Sequence, residues 1–196
     1  MTSIITGDII NSRAHLPKLW LESLKDTLSK FGTSPKTWEI YRGDSFQLET
    51  PPELALKTAI LIKASIKQLK DIDVRLAIGI GEKSYASGAI TESNGSAFVN
   101  SGECFENLKK TTLAVKSEYP EFDITINIML GLALLTMNSW TPTTAHLITL
   151  ALEHPDYNQK QLAKLTNSTQ GNVSQGLKRS GYDEILKLLE YYTQNI

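Results

Sequence analysis

The sequence predicts an α+β fold, with an amino-terminal part that mixes strands and helices and a carboxy-terminal part that is helical throughout. Three observations predict it. Short β-branched runs alternate with helix-spaced apolar runs from Ser3 to Val115, in the order β-α-β-β-α-β-α-β. Only helical spacing follows from about Ile124 onward. Between Asn158 and Arg179 two short helical patterns flank the turn Thr166-Asn167-Ser168.

Ser3 to Ile10 is apolar and β-branched and reads as a first strand, breaking at Gly7-Asp8. Leu16, Leu19, Trp20, Leu24, Leu28 and Phe31 fall at helical spacing, and Gly32 ends that helix. Trp38 to Tyr41 and Ser45 to Leu48 are strand-like runs joined by Arg42-Gly43-Asp44, a β-hairpin. Pro51-Pro52 opens a second helix that continues to Leu69, because proline is pre-set for a first turn. Val74 to Ile80 alternates through Leu76, Ile78 and Ile80 as a strand bounded by Gly79 and Gly81, a helix follows around Phe98 to Leu108, and Leu113 to Val115 is a last strand. The first six elements form the split βαβ pattern of a ferredoxin-like sheet. The expected organisation is an α+β domain at 1–122, a connecting core helix at 123–139 and a helical domain at 140–196.

Composition narrows the function classes. A net charge of −1 provides no global field for nucleic acid, so any basic surface must be local. One cysteine, Cys104, excludes an internal disulfide framework and fits a reducing cytoplasm. No basic segment precedes a long apolar run at the amino terminus, which argues against a signal peptide. The apolar stretch Ile124 to Leu135 is about twelve residues, short for a membrane span, and reads as a buried core helix. His15, His146 and His154 are dispersed and suggest no zinc site. Gly81-Glu82-Lys83-Ser84 lacks the glycines of a phosphate-binding P-loop. Cys104 reads as a small buried apolar residue, and Trp20, Trp38 and Trp140 as core aromatics.

Local charge points to the carboxy-terminal part. From Asn158 to Gly181 there are four basic residues (Lys160, Lys164, Lys178, Arg179) and no acidic one. Asn158 to Leu165 forms one short helix, Ala163 is small enough for a crossing partner, and Asn167 tolerates φ > 0 in the turn. Thr169 to Arg179 forms the second, with Ser168 or Thr169 as its cap and Leu162, Leu165, Val173 and Leu177 turned inward. This is the pattern of a helix-turn-helix, and its exposed face would carry Gln170, Asn172, Gln175, Lys178 and Arg179. Amides can pair bidentately with adenine and arginine with guanine. Tyr182 to Tyr192 continues as a helix, so no strand-rich wing follows. A single wingless copy would bind weakly, which makes a homodimer the expected DNA-binding form.

A second site is expected around Asp8 and Asp44. Asp8 ends the first strand and Asp44 lies at the hairpin tip, which are neighbours in a split βαβ sheet. Two carboxylates about 4 Å apart repel by about 4 kcal/mol at an effective dielectric of 20, a penalty that Mg²⁺ or Mn²⁺ would remove. Thr6-Gly7-Asp8-Ile9, Arg42-Gly43-Asp44-Ser45-Phe46, Val74 to Gly81 and Gly95-Ser96-Ala97-Phe98-Val99-Asn100 occur in the order of the palm domain of class III nucleotidyl cyclases, which residues 3–108 resemble. The resemblance implies metal ligation by Asp8 and Asp44 and nucleotide contact by Arg42 and Asn100. Cys104 stands where that pattern has an arginine for the transferring phosphates, so it implies nucleotide or metal binding more than turnover. The whole layout, from Ile4-Ile5-Thr6-Gly7-Asp8-Ile9-Ile10-Asn11-Ser12-Arg13 to the terminal helices, is similar to the bacterial SatD family.

Three functions follow as expectations: a cytoplasmic DNA-binding regulator sensing a ligand, a metal-dependent nucleotidyltransferase or nucleotide hydrolase, and a catalytically inactive interaction scaffold. None of them involves a membrane.

Overall fold

Strand β1 (Thr2–Ile10) occupies the middle of a five-stranded sheet, because its residues are apolar enough to be covered on both faces. The computed structural model describes residues 1–196 and is α+β, with this mixed sheet and eight α-helices. Strands β2 (Trp38–Tyr41), β3 (Ser45–Thr50), β4 (Asp73–Gly81) and β5 (Leu113–Lys116) complete it in the order β2-β3-β1-β4-β5. β1 runs antiparallel to β3 and β4, β2 antiparallel to β3, and β5 parallel to β4. The break expected at Gly7-Asp8 does not occur. β1 continues to Ile10 because β4 stays in register beside it, with Asp8 opposite Arg75, Ile9 opposite Val74 and Ile10 opposite Asp73.

Helices α1 (Pro17–Ser29) and α2 (Pro52–Ile66) cover one face, where Ile5, Ile9, Phe46 and Leu48 join their apolar residues in one cluster. In α1 the inward stripe is Trp20, Leu24 and Leu28, whereas Leu16 and Leu19 stay exposed. Helix α3 (Ser96–Asn107) covers the other face, where Ile4 packs on Ala97 and the Thr6 and Ser101 hydroxyls hydrogen-bond at 3.0 Å. Gly79 permits that approach. A Cβ there would lie 2.1 Å from the Ser101 nitrogen and 2.3 Å from the Ala97 carbonyl oxygen.

Helix α4 (Pro120–Met137) differs from the sequence expectation in two ways. It is eighteen residues long, since Pro120 starts it earlier than the apolar run suggests, and it is long and apolar enough to cross a membrane. It is also mostly outside the core, with five of its eighteen residues buried. Phe122, Ile126, Leu130, Leu134 and Met137 enter the core, while Ile124, Ile128, Leu132 and Leu135 are exposed. Asn127 fixes its position against the sheet edge. Its Oδ1 accepts from the Val115 N–H at 2.9 Å and its Nδ2 donates to the Val115 carbonyl at 2.7 Å, which satisfies an otherwise open strand.

Helices α5 (Pro142–Glu153), α6 (Gln159–Leu165), α7 (Gln170–Ser180) and α8 (Tyr182–Asn195) form the remainder, and α5 is an element the sequence reading did not separate. The two parts of the chain share one cluster of 41 buried residues, running from Ile5 through α2 to Tyr192. Eleven of fifteen α2 residues are buried, because α1 and the sheet lie on one side and α5 and α8 on the other. The Tyr192 hydroxyl donates to the Pro52 carbonyl at 2.8 Å across this junction.

A charged knot ties the same junction. The Lys63 ammonium, fully buried, donates to Asp73 Oδ1 at 2.8 Å and to Thr112 Oγ1 at 3.1 Å. Lys67 donates to Asp73 Oδ2 at 3.2 Å and to the Asn138 carbonyl at 2.9 Å. Burial lowers the Lys63 pKa from its usual 10.5, and the Asp73 carboxylate opposes that shift.

Candidate functional site

The turn between α6 and α7 is built by local sequence chemistry. Asn158 and Gln161 form a reciprocal capping box at the start of α6. At its end Asn167 adopts φ 47°, the Ser168 N–H donates to the Ala163 carbonyl at 2.9 Å, and the Asn167 N–H donates to the Lys164 carbonyl at 3.4 Å. These two bonds are the pair that closes a Schellman motif, with asparagine in the place usually taken by glycine. Thr169 then caps α7 by accepting from the Asn172 N–H at 3.2 Å. The chain thus passes from α6 to α7 in four residues, with hydrogen bonds at both ends of the turn.

Packing sorts the side chains. Leu162, Ala163, Val173 and Leu177 are buried, as the pattern predicts. Leu165 is not. It is 47% exposed, because α6 ends at that residue and the chain turns away before a partner reaches it. Lys160, Lys164, Thr169, Gln170, Asn172, Gln175, Lys178 and Arg179 are all exposed. With Val173, Gly176, Leu177 and Ser180 inside, helical geometry puts Gly171, Gln175 and Lys178 outermost on α7. Asn172 and Arg179 lie on one flank. There they border a groove of about 630 Å³ whose opposite wall is Thr143, Thr144 and His146 of α5. Those three residues carry no spacing signal, which is why the sequence did not reveal them.

The structure brings the Asp8 and Asp44 segments together, as expected, but gives each carboxylate its own partner. Asp8 pairs with Ser45 on one side, and the Ile9 N–H donates to the Asp44 carbonyl at 3.2 Å. Both Asp8 oxygens receive the Arg75 guanidinium, at 2.9 Å from Nε and 2.5 Å from Nη2. That pairing raises the Arg75 pKa above its usual value, and the guanidinium lies 5.3 Å from the Phe105 ring centroid. Asp44 accepts from the Ser12 hydroxyl at 2.5 Å. Asp8 lies within its strand, not at the end of it.

The remaining members of that site are dispersed by other tasks. Arg42 is exposed in the hairpin turn at φ 52°, followed by Gly43 at φ 92°. Asn100 donates its amide to the Ile80 carbonyl at 2.8 Å and so fastens α3 to β4. Tyr41 adjoins Arg42 and Asp8, and burial raises its phenol pKa, with Arg42 opposing the shift and Asp8 adding to it. Cys104 is buried, and burial lifts its thiol from 9.0 to about 12, with Asp123 adding to the shift. No group of three or more histidine, cysteine or carboxylate side chains is placed to hold a metal ion. The Arg75 guanidinium already supplies a positive charge to both Asp8 oxygens, where a lone carboxylate would draw a cation.

Comparison of the chain with family models, curated proteins and solved structures returns no match.

Proposed function

We propose that the chain is a cytoplasmic DNA-binding regulator, in which α6 and α7 form a wingless helix-turn-helix and α7 enters the major groove. One observation carries the reading. The outer surface of α7 is entirely polar, and it belongs to a stretch, Asn158 to Gly181, with four basic side chains and no acidic one in a chain of net charge −1. The Schellman turn and the Thr169 cap support it by fixing α7 at one angle to α6, as base readout requires. Gly171 exposes backbone in the first turn of α7, where free N–H groups favour a phosphate. Lys160 and Lys164 on α6 would hold the backbone, while Gln170, Asn172, Gln175 and Arg179 would read bases. A single copy offers few contacts, so the active form is a homodimer.

The amino-terminal part supports a ferredoxin-like reading. β1 and β2 run in the same direction with β3 inserted between them, and β4 lies on the far side of β1. That order supports the cyclase-palm reading to which the sequence motifs point, as would be expected of a SatD-like chain. We assign it a structural and sensory role. The second reading, Mg²⁺- or Mn²⁺-dependent chemistry on a nucleotide at Asp8, Asp44, Arg42 and Asn100, is favoured by no observation, since Arg75 and Ser12 hold the carboxylates and Ile80 holds the amide. Retardation of duplex DNA, lost on combining Lys178→Ala with Arg179→Ala, tests the DNA reading.

A further inference from the structure

The outer face of α4 is the largest feature that the fold leaves unexplained. Ile124, Ile128, Leu132 and Leu135 are 63%, 62%, 66% and 75% exposed, and no charged residue lies between Asp123 and Asn138. Together they leave on the order of 450 Å² of apolar surface in water, near the upper end of what a monomer exposes in one patch. Leu132 leads into an apolar groove of about 540 Å³ between α4 and α8.

Gly131 lies in the middle of this ridge. A glycine inside a helix is tolerated where something approaches closely, yet within the chain a Cβ at Gly131 would meet nothing within 4 Å. The space beside it is open to a close neighbour from outside the chain. We propose that this neighbour is α4 of a second copy of this chain, crossing antiparallel about a two-fold axis.

The spacing supports that occupant. The ridge positions Ile124, Ile128, Gly131 and Leu135 are separated by four, three and four residues, which reads the same from either end. An antiparallel crossing therefore sets Ile124 of each copy against Leu135 of the other, and Ile128 of each into the notch at the other's Gly131. This is the self-complementarity that an isologous contact demands. The four-three alternation is also the stripe of knobs-into-holes packing. The four exposed side chains alone supply about half of the roughly 800 Å² per partner of a standard interface, and the rim of the α4–α8 groove beside Leu132 adds to it. A membrane surface is the poorer match. Interfacial helices carry lysine and arginine at their borders, whereas Glu118 and Glu121 flank this one and would be repelled by anionic headgroups.

The surface is argued without reference to DNA, so the two readings fail separately. Sedimentation of the full chain at about 10 to 100 μM, with Ile128→Glu and Gly131→Leu, tests it. The expected result is a dimer whose dissociation constant rises at least tenfold in each variant, with helicity and thermal melting at high dilution retained. Gly131→Leu is the sharper variant, because leucine is the better helix former and only a partner can resent it. A wild-type chain that is monomeric at 100 μM overturns the proposal, as does a dimer indifferent to both substitutions. Binding to phosphatidylcholine or phosphatidylserine vesicles without self-association assigns the face to a membrane and overturns it as well. A dimer that does not bind DNA contradicts only the DNA reading.

Discussion

Asp8 and Arg75 face each other across β1 and β4, joined by two hydrogen bonds, and this pair decides how the Asp8–Asp44 face is read. A lone aspartate beside Asp44 would invite a cation, but Arg75 already supplies the positive charge from the next strand. Millimolar Mn²⁺ should therefore leave the thermal midpoint of the wild type unchanged. A rise in midpoint that Asp8→Asn abolishes would contradict this.

The knot of Lys63, Lys67 and Asp73 gives a second prediction. Asp73→Asn leaves two ammonium groups without their carboxylate, one of them fully buried, and should cost about 3 kcal/mol in urea unfolding. Lys63→Met should cost less, since Lys67 still holds Asp73 and methionine fills a similar volume. Equal losses would contradict this, since they would mean that Lys67 does not compensate Asp73 for the loss of Lys63.

Gly79→Ala should destabilise the chain by about 2 kcal/mol or more, because its methyl would meet the backbone of α3 at Ser101 and Ala97. Backbone cannot step aside as a flexible side chain can. Faster hydrogen exchange across α3 in the variant would locate the damage, and unchanged stability would mean that α3 is loosely docked.

Cys104 predicts the alkaline limit. Its folded pKa is raised from 9.0 to about 12, so the stability it contributes is complete below pH 9 and is lost as pH climbs towards 12, where only the unfolded thiol has ionised. Burial raises Tyr192 and Tyr182 in the same direction. The comparison is therefore with Cys104→Ala, whose stability should fall less steeply over that interval. Identical slopes would remove Cys104 from the account. The native thiol should also resist a disulfide reagent at pH 8 until the chain unfolds.

Features governed by neighbours in the chain were legible in the sequence. Asn167 could be placed in the left-handed region because asparagine tolerates it where a short helix must reverse, and Thr169 could be named as a cap. Features governed by distant partners were not. Arg75 faces Asp8 only through the β1–β4 register, and a one-residue slip would have sent it to the other face. The run from Ile124 to Leu135 is apolar on every side, so nothing in it marked which face the sheet edge would take. Asn127 was one of two polar residues in it, with Thr125, and its pairing with Val115 is what orients the helix.

The central claim is tested most directly by fluorescence anisotropy of labelled duplex DNA titrated with the full chain across a salt series. If each copy holds about four phosphates, the logarithm of the binding constant should fall against the logarithm of salt with a slope of about −3.6 per copy. Combining Lys160→Ala with Lys164→Ala, the two side chains assigned to the phosphates, should weaken binding and bring the slope to about −1.8 per copy. Absence of binding at about 50 mM salt, or a slope that the double substitution leaves unchanged, would contradict it.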